Sequence, residues 1–108
     1  RLRRGEIRWY RFHAPDKKRP VLVLTRDSAL EFLAEVTVAP ITRTVREIPT
    51  EVEMSTADGL PSRCAANFDH VQTVSRARLG ALIARLPAQR WPEVEAALSF
   101  ALGFSTGH

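Results

Sequence analysis

Apolar and polar positions along this chain alternate in short blocks more often than they recur at helical spacing. Gly5 to Phe12 (GEIRWYRF) sets Ile7, Trp9 and Arg11 on one face and Arg8, Tyr10 and Phe12 on the other, which predicts a strand with one face partly buried. Lys17-Lys18-Arg19 then runs into Pro20 and the unbroken aliphatic stretch Val21 to Leu24. Such a run predicts a central strand, Pro20 to Thr25, covered on both faces. Pro20 is expected to be its first residue, because further in it would remove a ladder donor. Asp27 or Ser28 is expected to cap a short helical segment, Ala29 to Leu33. Glu35 to Thr42 reads as a third strand, with Pro40 interrupting it at an edge or bulge. Thr50 to Met54 alternates, with Val52 on the face opposite Glu51 and Glu53.

Asp58-Gly59 marks a tight turn. Arg63 to Phe68 and His70 to Val74 read as two short strands, or one long strand with a bend, and Ser75 to Arg78 as a single helical turn. Leu79 to Leu86 fits either period and is expected to be a strand. A final amphipathic helix opens near Pro87 or Pro92, and Val94, Ala97, Leu98, Ala101 and Leu102 form its buried stripe. Glu93 and Glu95 suit its positive end, and Gly103 stops it. The sum is a mainly β fold with helices (α+β): a small, strongly bent sheet or barrel closed off by a C-terminal amphipathic helix. One domain spanning 1–108 is expected, long enough to bury its own core.

Charge adds direction to that picture. Sixteen basic residues against twelve acidic ones leave a formal charge of +4. Eight of the cations, from Arg1 to Arg19, fall in the first fifth of the chain. Such clustering permits nucleic acid or an acidic partner and proves neither. The lone Cys64 excludes an intrachain disulfide and suits a reducing cytoplasm. No apolar run approaches membrane-spanning length and no signal peptide is visible, so a cytoplasmic protein that engages no membrane is expected. The chain opens on Arg1 rather than Met, as expected of a trimmed start.

Several chemistries lack their signatures. His13, His70 and His108 are far apart and share no metal-ligand spacing with Cys64, so neither metal nor cofactor is expected. Phosphate-loop and serine-hydrolase spacings are also missing. What remains is a set of polar residues at strand ends: Arg19, Thr42 and Asp69-His70. Taken singly, each has a plainer reading. Lys17 to Arg19 is a solvated charge run, Thr42 a turn or capping residue, Asp69-His70 a turn, and Cys64 a small buried hydrophobe. Together they hold parts suited to cleaving an RNA phosphodiester without metal. That reaction needs a base for the 2′-hydroxyl, a cation for the phosphorane and an acid for the leaving 5′-oxygen.

The order of motifs tips the balance. Arg4-Gly5-Glu6-Ile7-Arg8-Trp9, Arg19-Pro20-Val21-Leu22-Val23-Leu24 and Val38-Ala39-Pro40-Ile41-Thr42 come first. Ile48-Pro49-Thr50-Glu51-Val52, Gly59-Leu60 and Cys64-Ala65-Ala66-Asn67-Phe68-Asp69-His70-Val71-Gln72-Thr73-Val74 follow, then Arg78-Leu79 and Ala101-Leu102-Gly103. This series resembles the MazF/PemK family of toxin endoribonucleases over nearly the whole chain. The resemblance implies an SH3-like, strongly bent β-barrel assembled as a homodimer. It implies sequence-selective, metal-independent cleavage of single-stranded RNA, expected to be mRNA, leaving a 2′,3′-cyclic phosphate and a 5′-hydroxyl. It also implies inhibition by a cognate antitoxin whose acidic, disordered tail competes with RNA for the same cations.

Carried over by position, Arg19 is the arginine of the family's Arg-Pro motif and would contact the scissile phosphate. Thr42 ends the Pro-Ile-Thr-like strand and would hydrogen-bond that phosphate. Asp69 matches an acidic position proposed as a base in some relatives. Lys17, Lys18, Arg8, Cys64, Asn67 and His70 are the expected RNA-binding positions, with Cys64 standing where many relatives have Ser. Two departures stand out. The loop His13 to Lys18 is shorter than is usual in the family, so the cleavage motif does not transfer. Asn67 occupies a place where some relatives carry an arginine acid, which leaves Arg19 to act by electrostatic stabilisation. The alternative is a non-catalytic, gyrase-binding toxin of the CcdB kind on the same barrel.

Overall fold

The computed structural model describes residues 1–13 and 18–104. Seven strands are present among the described residues: β1 (Glu6–Arg11), β2 (Lys18–Val23), β3 (Glu35–Thr42), β4 (Glu51–Met54), β5 (Cys64–Asn67), β6 (Gln72–Ser75) and β7 (Leu79–Arg85). A single turn of helix, α1 (Asp27–Leu30), links β2 to β3, and α2 (Trp91–Ala101) follows β7. All pairings are antiparallel, in the order β4-β5-β3-β2-β1-β7, with β6 on β3. Among the described residues no ladder joins β4 to β7, so the sheet is open.

β3 is shared between two ladders on one edge. Glu35 to Val38 pair with β6, whereas Ile41 and Thr42 pair with β5. Pro40 lies in the gap between them, opposite Val21 of β2. Leu24 N donates to Thr37 O at 2.9 Å, so residues 24 and 37 form a hydrogen-bonded pair. Alternation along the ladder makes Val21–Pro40 a non-bonded pair, and the Pro40 nitrogen faces the gap. Pro40 is thus accommodated without interrupting the strand, contrary to the sequence expectation. Pro20 is explained in the same way. The strand begins at Lys18, two residues before it, and the Pro20 nitrogen faces the β3 side, where the ladder ends at Val21. Arg19 is consequently a strand residue, in register with Tyr10 of β1.

Two apolar layers cover the sheet. Leu22 and Leu24 join Ile7, Ile41, Met54, Phe68 and Val94 in one, whereas Val21 and Val23 join Tyr10, Leu30, Val36 and Val74 in the other. β2 is therefore buried on both faces, as its unbroken aliphatic run predicted.

Local boundaries differ in three places. α1 starts at Asp27 with Arg26 at its N-cap, and neither Asp27 nor Ser28 caps it; Asp27 Oδ1 instead accepts from Arg4 N at 2.8 Å. The stretch expected to hold two strands contains β5, a 3-10 turn over Phe68–His70, and β6. In α2, Val94 and Ala97 are buried, but Leu102 lies past the last turn and is 61% exposed. Gly103, at φ 81°, ends the helix as expected. Arg90 fastens the start of α2, donating to Glu93 Oε2 (2.8 Å), Asp58 Oδ1 (3.0 Å) and Glu53 O (2.7 Å). Trp91 packs below the Arg4 guanidinium, 4.5 Å from the ring centroid, and against Gly5. A Cβ on Gly5, whose φ is 90°, would lie 3.1 Å from that ring.

Candidate functional site

Where the β2–β3 ladder ends, two adjacent hollows open on the surface. One, of about 420 Å³, is lined by Trp9, Lys18, Arg19, Thr42, Arg43 and Cys64 among others. The second, of about 410 Å³, is lined by Phe12, Arg19, Thr42, Arg46, Asn67 and His70 among others. Arg19 and Thr42 line both, so they form the ridge between them. Strand pairing explains this placement. Thr42 is the last residue of β3, Arg19 the second of β2, and both stand where the two strands stop pairing with each other. Arg19 is exposed, and among the described residues no hydrogen bond or ion pair engages its guanidinium. The Thr42 hydroxyl oxygen accepts from Thr44 N at 3.1 Å, which leaves its proton available to a ligand.

Among the described residues no acidic side chain lines either hollow, whereas Lys18, Arg19, Arg43 and Arg46 supply four cations. Lys18 Nζ also lies 5.8 Å from the Trp9 ring centroid. Burial, and then the nearby charges of Asp58 and Glu53, push the Cys64 thiol up, so it stays a neutral small group in the wall.

Asn67 and His70 occupy the second hollow together with Arg19 and Thr42. Asn67 Oδ1 accepts from Asp69 N at 2.8 Å and shapes the turn that carries His70. Asp69 lines neither hollow; its Oδ2 accepts from Thr50 Oγ1 at 2.7 Å. The structure thus does not bring Asp69, the secondary candidate for proton transfer, into either hollow with Arg19 and Thr42. Arg8 is also elsewhere. Its guanidinium donates to Glu6 Oε1 (2.8 Å) and Gly80 O (2.9 Å), and it lines a separate hollow with Arg1 and Arg76. Lys17 and His108 lie outside the described residues.

The basic start of the chain is thus not one patch. Arg1 pairs with Glu31, Arg4 covers Trp91 and Arg8 is held by Glu6, whereas Lys18 and Arg19 line the hollows. The other two cations, Arg43 and Arg46, were not singled out from the sequence, nor were Trp9 and Ser62. Their signal was present: Arg43-Thr-Val-Arg46 is a basic stretch immediately after a strand end that already carried Thr42.

Comparison with known proteins decides the family. The PemK-like, MazF-like toxin of type II toxin–antitoxin systems matches residues 3–102. The chain belongs to the MazF/PemK toxin family. Within it, the chain is 39% identical over 93 residues to a probable endoribonuclease, MazF2, of Mycobacterium tuberculosis, covering 85% of this chain and 89% of the relative. It is 42% identical over 83 residues to endoribonuclease MazF3 of the same organism, covering 77% and 81%. Among solved structures, the Mycobacterium tuberculosis toxin MazF-mt6 superposes with a TM-score of 0.84 at 38% identity, covering 91% of this chain and 96% of that one. A mycobacterial endoribonuclease in complex with its cognate antitoxin superposes with a TM-score of 0.83 at 25% identity, covering 97% and 98%. The mostly antiparallel sheet with its C-terminal helix is the architecture of these MazF toxins.

Proposed function

We propose that this chain is the endoribonuclease toxin of a type II toxin–antitoxin pair, cutting single-stranded RNA, mRNA first, at short sequence motifs without a metal. The observation that carries this reading is the pair of hollows on either side of Arg19 and Thr42, with four cations and, among the described residues, no carboxylate in their lining. A polyanion fits that lining, and Trp9 and Phe12 offer apolar surface to bases beside it.

In this reading the ribose 2′-oxygen attacks the adjacent phosphorus and the 5′-oxygen leaves. The products are a 2′,3′-cyclic phosphate and a 5′-hydroxyl, with the 2′-proton passing to a base and one proton returned to the leaving oxygen. Arg19 and the Thr42 hydroxyl stabilise the charge that builds on the phosphorane. His70 lines the same hollow and has chemistry suited to proton transfer, so we assign it that role ahead of Asp69. Lys18, Arg43 and Arg46 steer the backbone, and Asn67 and Cys64 form the walls.

The site also accounts for control. An acidic antitoxin tail would compete with RNA for the same cations, in keeping with the antitoxin complex of the mycobacterial relative. The bend of β3 into two ladders favours the SH3-like barrel, open between β4 and β7, as a single domain over 1–108. We place it in the cytoplasm as a homodimer; among the described residues no helix is long and apolar enough to cross a membrane. A gyrase-binding toxin on the same fold needs neither Arg19 nor Thr42 in a cationic hollow. Incubating the protein with a long transcript in EDTA separates the two. Discrete fragments with 5′-hydroxyl ends are expected, and intact RNA would favour the binder.

A further inference from the structure

One carboxylate behind the groove has no place in the chemistry above. Glu51 opens β4 opposite Asn67 of β5, so the two side chains share a face. Its side chain is only 2% exposed, yet it lines neither hollow. Oε1 accepts from Arg46 N at 2.9 Å, while Oε2 is buried without a hydrogen-bond partner among the described residues, 4.0 Å from the Arg46 guanidinium. A buried carboxylate with an unsatisfied oxygen is unfavourable unless a cation faces it, and a neutral residue would serve packing better.

The backbone adds a second, independent sign. Glu47, directly after Arg46, has φ 55°, the one non-glycine residue in the left-handed region among the described residues. Such conformations persist only where the surroundings impose them, and they gather at functional sites. Between β3 and β4 there is no regular structure to impose it. The contacts across this loop are the one that returns the chain from Arg46 to Glu51, Glu51 N donating to Ile48 O at 3.0 Å, and the Arg63 guanidinium 4.0 Å from Glu47 Oε1.

From this geometry we infer that Glu51 is a positioning residue: it staples the Arg43–Thr50 loop and sets the Arg46 guanidinium against the RNA groove. The inference rests on the nuclease reading for what Arg46 meets, and on geometry alone for what holds Arg46. Glu51 touches no substrate. It acts by fixing the backbone of Arg46 through Oε1 and by drawing its side chain through Oε2. Arg46, 57% exposed, then presents its outer donors to a phosphate in the hollow that Arg19 and Thr42 share.

A double-mutant cycle with an uncleavable 2′-O-methyl oligonucleotide tests the inference. Glu51→Gln keeps the size and the Oε1 acceptor and removes the charge. It is expected to weaken binding about three- to tenfold and to lower the salt slope by about 0.7, the share of one phosphate contact on a single strand. On an Arg46→Ala background the same change is expected to have no further effect. Equal losses on both backgrounds, or wild-type binding by Glu51→Gln, would overturn the inference. A second arm needs no RNA: amide exchange at Arg46 is expected to accelerate at least tenfold in Glu51→Ala and to stay slow in Glu51→Gln. Unchanged exchange in Glu51→Ala would overturn the staple. If the wild-type protein neither binds nor cuts RNA while the exchange arm behaves as expected, the nuclease reading fails and the staple stands.

Discussion

At the scale of single residues, the strand-end placement of Arg19 and Thr42 separates them from their neighbours. Arg19→Ala is expected to lower the rate of RNA cleavage by roughly 10²–10³, the usual loss for one stabilising donor, with the melting temperature unchanged. His70 and Asp69 are adjacent in sequence and divergent in surroundings. His70 faces the hollow, whereas Asp69 is engaged by Thr50. His70→Ala is therefore expected to cost about 10²-fold or more in single-turnover rate, and Asp69→Asn less than about tenfold. The reverse order would return the base to Asp69. Cys64 is a wall residue whose thiol is pushed up by burial, and it is expected to resist alkylation at pH 7.5 in the folded protein. Rapid labelling of native protein by iodoacetamide would contradict that placement.

At the scale of elements, the two prolines show what sequence patterns can and cannot supply. The strand expected over Glu35 to Thr42 coincides with β3, and the aliphatic run located the core of β2. Which side of a strand a proline nitrogen faces depends on the register of its partner, and that is a long-range property. Pro40 read as an interruption because nothing local says that β6 gives way to β5 there. Pro40→Ala is accordingly expected to change stability by less than about 1 kcal/mol in chemical denaturation, far less than a proline exchange at a bonded position. The basic stretch Arg43 to Arg46 was visible in the sequence, but its direction was not: a loop's direction is set by what its ends are fastened to, and Glu51 is not visible as a fastener.

The start of α2 carries a pH-dependent contact. The hydrogen bond from Arg90 holds the Glu93 carboxyl below the usual carboxylate range, against a smaller opposing effect of burial. A lowered folded-state value means that the stabilisation is present above the unfolded value and is lost as pH falls through the folded one. Glu93 is half exposed, so Glu93→Gln is expected to cost less than about 1 kcal/mol at pH 7 and less still at pH 2. Urea midpoints at the two pH values check this; an equal loss at both would contradict the pairing.

At the scale of the whole molecule, charge reaches function only after the fold has sorted it. The formal +4 and the eight early cations suggested one basic end. The structure disperses that end among Glu31, Glu6 and Trp91, and rebuilds a cationic groove from β2 and the loop after β3. The family and the mainly β fold with its C-terminal helix were readable from the sequence, and Arg19 and Thr42 could be singled out there. The composition of the groove was not, because strands distant in sequence contribute to it. The most direct test of the account is single-turnover cleavage of one long transcript in EDTA by wild-type protein and by Arg19→Ala. The account predicts discrete cuts with 2′,3′-cyclic phosphate ends from the wild type and at least a hundredfold slower cutting by the variant. Equal cutting by the two proteins, or cutting that requires added divalent metal, would contradict it.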